Sequence, residues 1–324
     1  MFRNKMFIVF CLTLLVVGSQ FTVADLAQAE EKYPNRPVEL IAPAGPGGGA
    51  DQLARMISPL FEKHFGVPFP VSNITGAGGN TALLKVVNSR PDGYTMSVYM
   101  GRILCSWATI GLGDFKIEDF EWLSRLIKQD SALFVPYNSP IKDANDLLRI
   151  AKEKPLKVAI HGHGNIDDIS IRYLVAKGLK LVGVPYPKPA ERYAAPIGGH
   201  VDLMYEEPGD VKAFIDAKQI RPILFFSTKR SKFYPDLPTT YELGYKVGFP
   251  NWRGLVVKKG TPPHIVKALE DALTKIVETP EFKKYLKEEM AEPDSYLGPD
   301  EFHKQTYYEF NTLSKFAKEL KIKK

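Results

Sequence analysis

The stretch Ile41–Asp51 reads IAPAGPGGGAD, in which an apolar run gives way to glycines and an amphipathic segment follows. This order predicts a β-strand, a glycine-rich loop and an α-helix. The strand is expected over Val38–Ile41, and the helix over Asp51–Phe65 because apolar residues recur there on one helical face. Pro59 is expected to kink or locally break this helix, and Gly66 is expected to end it.

The same order returns further along the chain. Pro68–Asn73 is expected to be extended, Gly76–Asn80 is a second glycine loop, and a helix is predicted over Thr81–Val87. Tyr94–Tyr99 alternates between apolar and polar residues as a strand does. The repetition of strand, loop and helix predicts a parallel α/β sheet.

The rest of the chain continues this alternation. Strands are predicted over Ala132–Val135, Lys157–Ile160, Leu181–Val184, Val201–Tyr205, Arg221–Phe226 and Leu255–Val257. Helices are predicted over Ala144–Ala151, Ile169–Ala176, Glu281–Glu289 and Asp300–Leu320, and from Thr261-Pro262 onwards. Two such α/β units predict two lobes that face a cleft, because ligands of open α/β sheets bind outside the carboxyl ends of the strands.

The chemistry of the first glycine loop has several candidate explanations. Gly45–Ala50 formally matches a dinucleotide-binding motif, but the ribose-binding acid is missing near Asn73 and the lone motif is weak. A Walker loop is excluded because no Gly-Lys-Ser/Thr follows. Amides at the start of a helix favour a carboxylate or phosphate oxygen, whereas an ordinary tight turn needs no ligand. The second loop and a third at His161–Asn165 favour a ligand site.

Residues 1–29 have the pattern of a secretory signal peptide. A basic start precedes the apolar run Met6–Val17, and Ala27-Gln28-Ala29 is a small-x-small cleavage site. The apolar run is shorter than the ~20 residues of a spanning helix. We therefore expect cleavage after Ala29, no lipid on Cys11, and a periplasmic or extracytoplasmic mature protein.

Composition and motifs exclude several classes of protein. The net charge of +6 arises from interleaved charges, without a basic stripe and stacking aromatics, so no nucleic-acid partner is expected. Cys105 is the one cysteine outside the signal peptide, and its thiol is predicted to be buried and inert. No nucleophile–base pair or acid–base dyad is recognisable. We therefore expect a protein that is not an enzyme and that has no cofactor and no metal.

The histidines of the third loop are candidates for the ligand site. His161-x-His163, with Asp167 and Asp168, lacks the spacing of a strong metal motif. We expect the imidazoles to donate hydrogen bonds to a carboxylate. The alternative is that they are exposed loop residues.

Other polar side chains are further candidates. Arg102, placed at the end of a strand, could grip a carboxylate bidentately or be exposed to solvent. Glu206-Glu207 would repel an anionic ligand unless a carboxylate pairs with Arg102 or with a ligand amine. A pair on the hinge surface is the simpler interpretation. Among the aromatic residues, Tyr186 is the best pocket candidate.

The order of short motifs along the chain resembles the extracytoplasmic solute-binding proteins of tripartite tricarboxylate transporters, the Bug family. The motifs are Tyr33-Pro34-x-Arg36-Pro37, Pro43 to Asp51, Asn73-x-x-Gly76-Ala77-Gly78-Gly79-Asn80, Pro91-Asp92-Gly93-Tyr94-Thr95, Val184-Pro185-Tyr186, Gly198-Gly199-His200-Val201-Asp202, Pro235-Asp236-Leu237-Pro238-Thr239, Glu242-Leu243-Gly244, Trp252-x-Gly254-Leu255 and Gly260-Thr261-Pro262.

The resemblance implies an α/β, two-lobed type II periplasmic-binding fold, in which each lobe is a sheet with helices on both faces and the ligand cleft lies between the lobes. Lobe 1 would comprise residues 30–133 and 249–324, and lobe 2 residues 134–248. The implied function is capture of a small organic carboxylate by lobe closure and delivery to integral-membrane permease subunits. One alternative is a binding protein that acts as a sensor for an amino acid or aromatic acid. A weaker alternative is an exported enzyme with an unrecognised site. A monomer is expected.

The resemblance also implies how the ligand is held. The lobe-1 loops of the family hold one carboxylate through backbone amides and bridging waters, and lobe 2 closes over the other end. With the polar residues above, the predicted substrate-binding residues are Ala44, Gly45, Pro46, Gly47, Gly48, Gly49, Asp51, Gly76, Ala77, Gly78, Gly79, Asn80, Met100, Arg102, His161, His163, Asn165, Tyr186 and Glu206. The sequence departs from the family pattern at Ala44, at His161–Asn165 and at Pro187-Lys188-Pro189, which bears on the ligand rather than the fold.

Overall fold

The computed structural model describes residues 32–322, so the predicted signal peptide lies outside the described residues. The chain divides into two compact units, Met1–Asn35 and Arg36–Lys324. Residues 32–35 of the first unit carry no helix or strand. No helix among the described residues is long and apolar enough to cross a membrane.

Two five-stranded sheets organise the second unit. The strands are β1 (Glu39–Ala42), β2 (Val71–Asn73), β3 (Thr95–Met100), β4 (Phe120–Gln129), β5 (Ser131–Pro136), β6 (Leu156–Ile160), β7 (Leu181–Pro185), β8 (Leu203–Glu206), β9 (Ile220–Phe226) and β10 (Asn251–Lys258). Sheet 1 has the order β2-β1-β3-β10-β4, and sheet 2 has the order β7-β6-β8-β5-β9.

The two sheets have the same mixed topology. In sheet 1, β1 runs parallel to β2 and β3, while β10 is antiparallel to β3 and β4. In sheet 2, β6 runs parallel to β7 and β8, while β5 is antiparallel to β8 and β9. The predicted parallel direction is therefore correct for four strands of each sheet and wrong for one, which is β10 in sheet 1 and β5 in sheet 2. The antiparallel strands β5 and β10 are those that begin where the chain passes between the sheets.

The helices agree with the sequence patterns in most places. They are α1 (Gly49–Phe65), α2 (Asn80–Val87), α3 (Gly101–Ile110), α4 (Ala144–Glu153), α5 (Ile166–Ala176), α6 (Pro189–Ile197), α7 (Lys212–Asp216), α8 (Pro263–Glu278), α9 (Pro280–Glu288) and α10 (Pro299–Glu319). The sequence did not predict α3, α6, α7 or strand β4. The expected break at Pro59 was wrong, because α1 is a single helix; the alternative, a kink at Pro59, stays a prediction. The lobe boundaries at residues 134 and 249 stay a prediction.

Register brings the loops that follow neighbouring strands to one edge. Ala42 and Asn73 are the last partners of the parallel pair β1 and β2, so both glycine loops leave sheet 1 at the same edge. In sheet 2, Ile160 and Pro185 are the last partners of β6 and β7. The loops that follow these strands therefore also share an edge.

The apolar core of sheet 2 includes residues from helices of the sheet-1 side. Cys105 of α3 and Leu313 of α10 belong to the same buried cluster as Leu133 and Ile160 of sheet 2. The thiol of Cys105 lies 3.3 Å from the carbonyl oxygen of Gly164. Burial raises its pKa well above the ordinary value, with the charges of Asp167 and Asp168 acting in the same direction. The predicted burial of this cysteine is confirmed.

A buried ion pair joins the two sheets. The Nη2 of Arg253, in β10, donates to both carboxylate oxygens of Asp210, which follows β8, at 2.8 and 2.6 Å. Its Nη1 donates to Gln129 at the end of β4 at 2.8 Å. Arg253 has no exposed surface, so its charge depends on these partners.

Glu207 ties the two chain crossings together. One of its oxygens accepts from Ser131 Oγ at 2.8 Å, and the other accepts from Asn251 Nδ2 at 3.1 Å. Ser131 opens β5 and Asn251 opens β10. The two segments that connect the sheets are therefore bonded to one carboxylate.

We predict that Gly49→Ala lowers the free energy of unfolding by about 3–5 kcal/mol, the cost of breaking a buried ion pair. A methyl group at Gly49 would overlap the Arg253 guanidinium and the Asp210 carboxylate. Helix propensity alone would favour alanine there, so any loss is steric. Urea unfolding of the ligand-free protein measures it.

The matched control is Gly45→Ala, in the same loop. A methyl group at Gly45 meets only Pro189 Cδ, at an ordinary 3.4 Å, so little change is expected. Equal stability of the two variants would show that the Arg253–Asp210 pair can separate without cost.

Candidate ligand-binding site

A cavity of about 370 Å³ lies where loops from both sheets meet. This volume is in the range of small-molecule sites. Predicted site residues that line it are Ala44, Gly45, Gly48, Gly49, Gly76, Ala77, Gly78, Gly79, Met100, Arg102, His161 and Asn165. Predicted site residues outside its lining are Pro46, Gly47, Asp51, Asn80, His163, Tyr186 and Glu206.

Asp51 shapes the first glycine loop from behind. Its carboxylate accepts from the Gly47 N–H at 2.9 Å, from Arg55 Nε at 2.9 Å and from Asn73 Nδ2 at 2.9 Å. Asn73 also donates to the carbonyl of Ala44 at 2.8 Å. The buried carboxylate thus fixes the loop that lines the cavity, and Asn73 ties that loop to the end of β2.

Hydrogen bonding sets the ionisation of Asp51. Burial alone would raise its pKa, but the bonds from Arg55, Gly47 and Asn73 outweigh burial, and the pKa is lowered. The carboxylate is therefore ionised at neutral pH. It offers its charge to the loop and to Arg55 rather than to the cavity.

The second glycine loop turns through consecutive residues with positive φ. Gly76, Ala77, Gly78 and Gly79 have φ of 119°, 45°, 66° and 102°. A side chain on Gly79 would also meet Ile103 Cδ1 at 2.7 Å. Three of the four positions are glycine because L-residues with a side chain rarely adopt this conformation.

Arg102 presents its guanidinium to the cavity from the first turn of α3. The strand ends at Met100 and the helix begins at Gly101, so Arg102 lies just beyond the strand end where the sequence placed it. The residue is 8% exposed, and its Nε has no hydrogen-bond partner among the described residues. Glu207 Oε2 is 3.8 Å from Nη2, which is too far for a hydrogen bond.

The histidines of the third loop differ from each other. His161 lines the cavity, and its Nδ1 lies 2.9 Å from Asp167 Oδ2. His163 does not line it; its side chain is 61% exposed and lies 3.5 Å from Asp168 Oδ1. Asp168 instead accepts from Gly164 N–H at 2.9 Å and Arg172 Nε at 2.8 Å. The exposed-loop interpretation describes His163, and the pocket interpretation describes the position of His161.

Burial and nearby cations keep His161 neutral. Burial lowers its pKa well below the ordinary value, and the charges of Arg102, Arg192 and Arg253 lower it further. Burial raises the pKa of Asp167 to about 6, against hydrogen bonds from the backbone N–H groups of His161 and Asp168. At neutral pH the pair is therefore a neutral imidazole beside a carboxylate.

Glu206 and Glu207 are buried, so the hinge-surface interpretation was wrong. Arg192 Nε and Nη2 donate to Glu206 Oε2 at 2.9 and 2.7 Å. Burial raises the pKa of Glu206, and the charge of Arg192 opposes this effect. For Glu207, the charges of Arg102 and Arg253 overcome burial and lower the pKa.

Arg192 was missed by the sequence analysis. It lies on α6, which begins at Pro189, and it lines the cavity although it is only 1% exposed. Its Nη1 donates to the carbonyl of Tyr186 at 3.0 Å. A proline at the first helical position with Glu191 in the first turn is the sequence signal that marks this helix.

One group of carboxylates among the described residues could hold a metal by distance. It consists of Glu206, Glu207 and Asp210. Arg192 and Arg253 bind two of these carboxylates directly. The arrangement is thus an ion-pair network with its cations already present.

Two mixed α/β sheets, with a cavity where their loops meet, define a solute-binding protein of the periplasmic type. The sequence model described as "Tripartite tricarboxylate transporter family receptor" matches residues 53–307. The chain belongs to this family, which confirms the resemblance and the fold class predicted from the motifs.

Individual relatives support the assignment. The chain is 29% identical over 271 residues to the UPF0065 protein in the gbd 5' region of Cupriavidus necator, covering 82% of this chain and 83% of that protein. It is 28% identical over 269 residues to BugT of Bordetella pertussis, covering 79% and 81%.

Solved structures agree with this. R. palustris Rpa4515, solved with adipate, has a TM-score of 0.83 and 26% identity, with 90% of this chain and 99% of that chain covered. The periplasmic binding protein BugD has a TM-score of 0.82 and 25% identity, with 90% and 100% covered.

We predict that Asp51→Asn lowers the free energy of unfolding by about 1.5–3 kcal/mol near pH 7, the range for hydrogen bonds to a charged group. The folded-state pKa of Asp51 is depressed, so its contribution is present above the ordinary pKa of 3.8. It is lost as pH falls through the folded-state pKa. Urea unfolding across a pH series should show the deficit at neutral pH and its decline only below that ordinary value.

Asp271→Asn serves as the control. Asp271 forms an exposed pair with Lys267, and such pairs contribute little. A deficit for Asp51→Asn no larger than that of Asp271→Asn would contradict the role given to the Asp51 carboxylate.

Proposed function

We propose that the protein is the extracytoplasmic receptor of a tripartite tricarboxylate-type transporter, which captures a small organic carboxylate and delivers it to membrane permease subunits. The observation that carries the proposal is the cavity shared by both glycine loops and by Arg102, His161 and Asn165. The membership of the chain in the receptor family supports delivery to a permease.

The glycine loops of sheet 1 contain no cationic side chain, but their backbone still suits a carboxylate. Helix α1 begins at Gly49, and the first N–H groups of a helix have no carbonyl partner within it. Their partial positive charge favours an anion. At the start of α2, the N–H groups of Gly79 and Asn80 instead donate to the carbonyls of Gly76 and Ala77. Gly76, Gly78 and Gly79 leave room for an approaching oxygen because they have no side chain.

Polar side-chain atoms of α3, on the sheet-1 side, and of the loop after β6, in sheet 2, also need a partner. Arg102 Nε, His161 Nε2 and Asn165 Oδ1 are buried without a hydrogen-bond partner among the described residues. A buried polar group left unpaired costs about 1–3 kcal/mol. An ionised carboxylate accepts hydrogen bonds and cannot donate them, so a second carboxylate of the ligand would pair with the Nε–H of Arg102, and a dicarboxylate suits the site better than a monocarboxylate. Rpa4515, solved with the dicarboxylate adipate, supports this choice.

The apolar part of the lining limits the middle of the ligand. Ala44, Met100 and Pro189 are apolar residues of the cavity lining. Pro189 Cγ lies within 2.9 Å of where a side-chain carbon of Gly48 would be. The first glycine loop and α6 are therefore already close together, as closure of the lobes over a ligand requires.

The proposed function is tested with a panel of monocarboxylates, dicarboxylates and their monoesters. A ligand at 100 times its dissociation constant raises the free energy of unfolding by ~2.7 kcal/mol, so the thermal midpoint should rise for dicarboxylates. NMR of the ligand after incubation should show it unchanged, since a receptor releases what it binds. Turnover beyond a protein-free control would identify an enzyme, and no shift with any acid would reject the carboxylate site.

We predict that Arg102→Met weakens binding of a dicarboxylate by about 10- to 150-fold, the equivalent of ~1.5–3 kcal/mol for a charged hydrogen bond. The monoester should lose much less, because it lacks the second charge. Isothermal titration calorimetry measures both affinities.

Lys188→Met is the control for general loss of positive charge. Lys188 also lines the cavity, but its side chain is 76% exposed and pairs with Glu191 at 2.9 Å. Equal affinities for Arg102→Met and Lys188→Met would mean that Arg102 does not bind the ligand.

A further inference from the structure

His161 is held in one tautomer by its neighbours. Its Nδ1 is 2.9 Å from Asp167 Oδ2, whereas its Nε2 is 3.6 Å from Glu206 Oε1. Only the first distance is a hydrogen bond. A carboxylate accepts and cannot donate when ionised, so the single proton of the neutral imidazole lies on Nδ1. Nε2 is then an acceptor.

The acceptor atom Nε2 is buried and has no hydrogen-bond partner among the described residues. The histidine lines the main cavity together with Arg102. The same two residues line a smaller cavity of about 10 Å³, with Asp167, Tyr205, Glu207 and Asn251. That volume holds about one water, so a water there is the competing partner for Nε2.

The local charges decide which kind of donor Nε2 can meet. Arg102, Arg192 and Arg253 together disfavour a proton on this ring. An ammonium group in contact with Nε2 would meet the same three guanidinium charges, offset in part by Glu206, whose Oε1 lies 3.6 Å from Nε2. An ionised carboxylate cannot donate, so the neutral O–H of a hydroxy acid is the ligand group that suits Nε2 best.

We propose that His161 is a specificity-determining residue whose Nε2 accepts a hydrogen bond from a hydroxyl group of the ligand, so that the receptor selects hydroxy-carboxylates. The inference rests on the proposed function, because Arg102 is taken to hold the carboxylate next to that hydroxyl. It adds to that function the class of acid and the residue that recognises it.

The test compares matched acids by calorimetry near neutral pH. The probes are succinate, malate, 2-methoxysuccinate and aspartate, and adipate with its 2-hydroxy and 2-methoxy forms. The dissociation constant of the hydroxy acid should be lower than that of the methoxy acid by about tenfold or more. The reason is that the ether oxygen has no proton to donate and leaves Nε2 unpaired. Aspartate should bind more weakly than malate.

Variants assign the preference to the ring nitrogen. His161→Phe should reduce the hydroxy-to-methoxy affinity ratio to about one, and His161→Gln should restore part of it by placing a carbonyl oxygen near the position of Nε2. His163→Phe, at the exposed histidine of the same loop, should leave the ratio unchanged. Circular dichroism of each variant verifies folding, and the ratio within one variant is independent of its overall stability.

Each outcome has a definite meaning. A wild-type ratio near one, or a ratio that His161→Phe does not change, overturns the inference and leaves a bound water as the partner of Nε2. If all the acids bind tightly and with equal affinity, the inference about His161 is overturned, but the proposed function still holds. Failure of every acid to bind rejects the proposed function and this inference together.

Discussion

The ion pair between Arg253 and Asp210 is the constraint on which the rest of the structure depends. It joins β10 of sheet 1 to the segment after β8 of sheet 2, and neither residue can reach bulk water. A buried pair gains little net stability over apolar packing, but breaking it leaves an unpaired buried charge and costs several kcal/mol. The pair therefore penalises any arrangement in which the two residues separate. Gly49 is part of the same constraint, since only the absence of a side chain lets the first loop approach it.

The polarity of the cavity follows from what each sheet supplies. Sheet 1 contributes glycine loops and helix starts, which offer backbone donors and leave room for an oxygen. Sheet 2 contributes charged side chains that already have partners. Arg192 donates to Glu206, and Asp167 accepts a hydrogen bond from the backbone N–H of Asp168. Arg102, which α3 supplies from the sheet-1 side, is not balanced in this way, because its nearest carboxylate lies at 3.8 Å. The cavity thus combines a wall of neutral backbone groups with one cation that has spare hydrogen-bonding capacity.

The sequence predicted the elements that local patterns encode. Apolar periodicity located most helices and strands, and the glycine loops were recognisable because their backbone conformations demand glycine. The sequence did not predict contacts between residues that are distant along the chain. No local pattern shows that Glu206 meets Arg192, or that Asn73 and Asp51 fix the first glycine loop. Strand β4 and the antiparallel course of β5 and β10 were missed for the same reason, since pairing depends on distant partners. The burial of Glu206 and Glu207 likewise became evident only when their guanidinium partners were in place.

Glu207 links the two chain crossings to Arg102, which lines the cavity. This carboxylate bonds Ser131 and Asn251, which open the two strands at the crossings between the sheets, and it is also the anion nearest to Arg102. A ligand carboxylate on Arg102 would compete with Glu207 for the same guanidinium charge. Because Glu207 is already satisfied by two neutral donors, it can lose part of that interaction without becoming an unpaired buried group. Bending at residue 130 or near residue 250 would, in contrast, disturb those donors directly. We therefore expect ligand binding and movement of the sheets to be coupled through Glu207, with the ligand changing the charge that faces it and the crossings changing its hydrogen bonds.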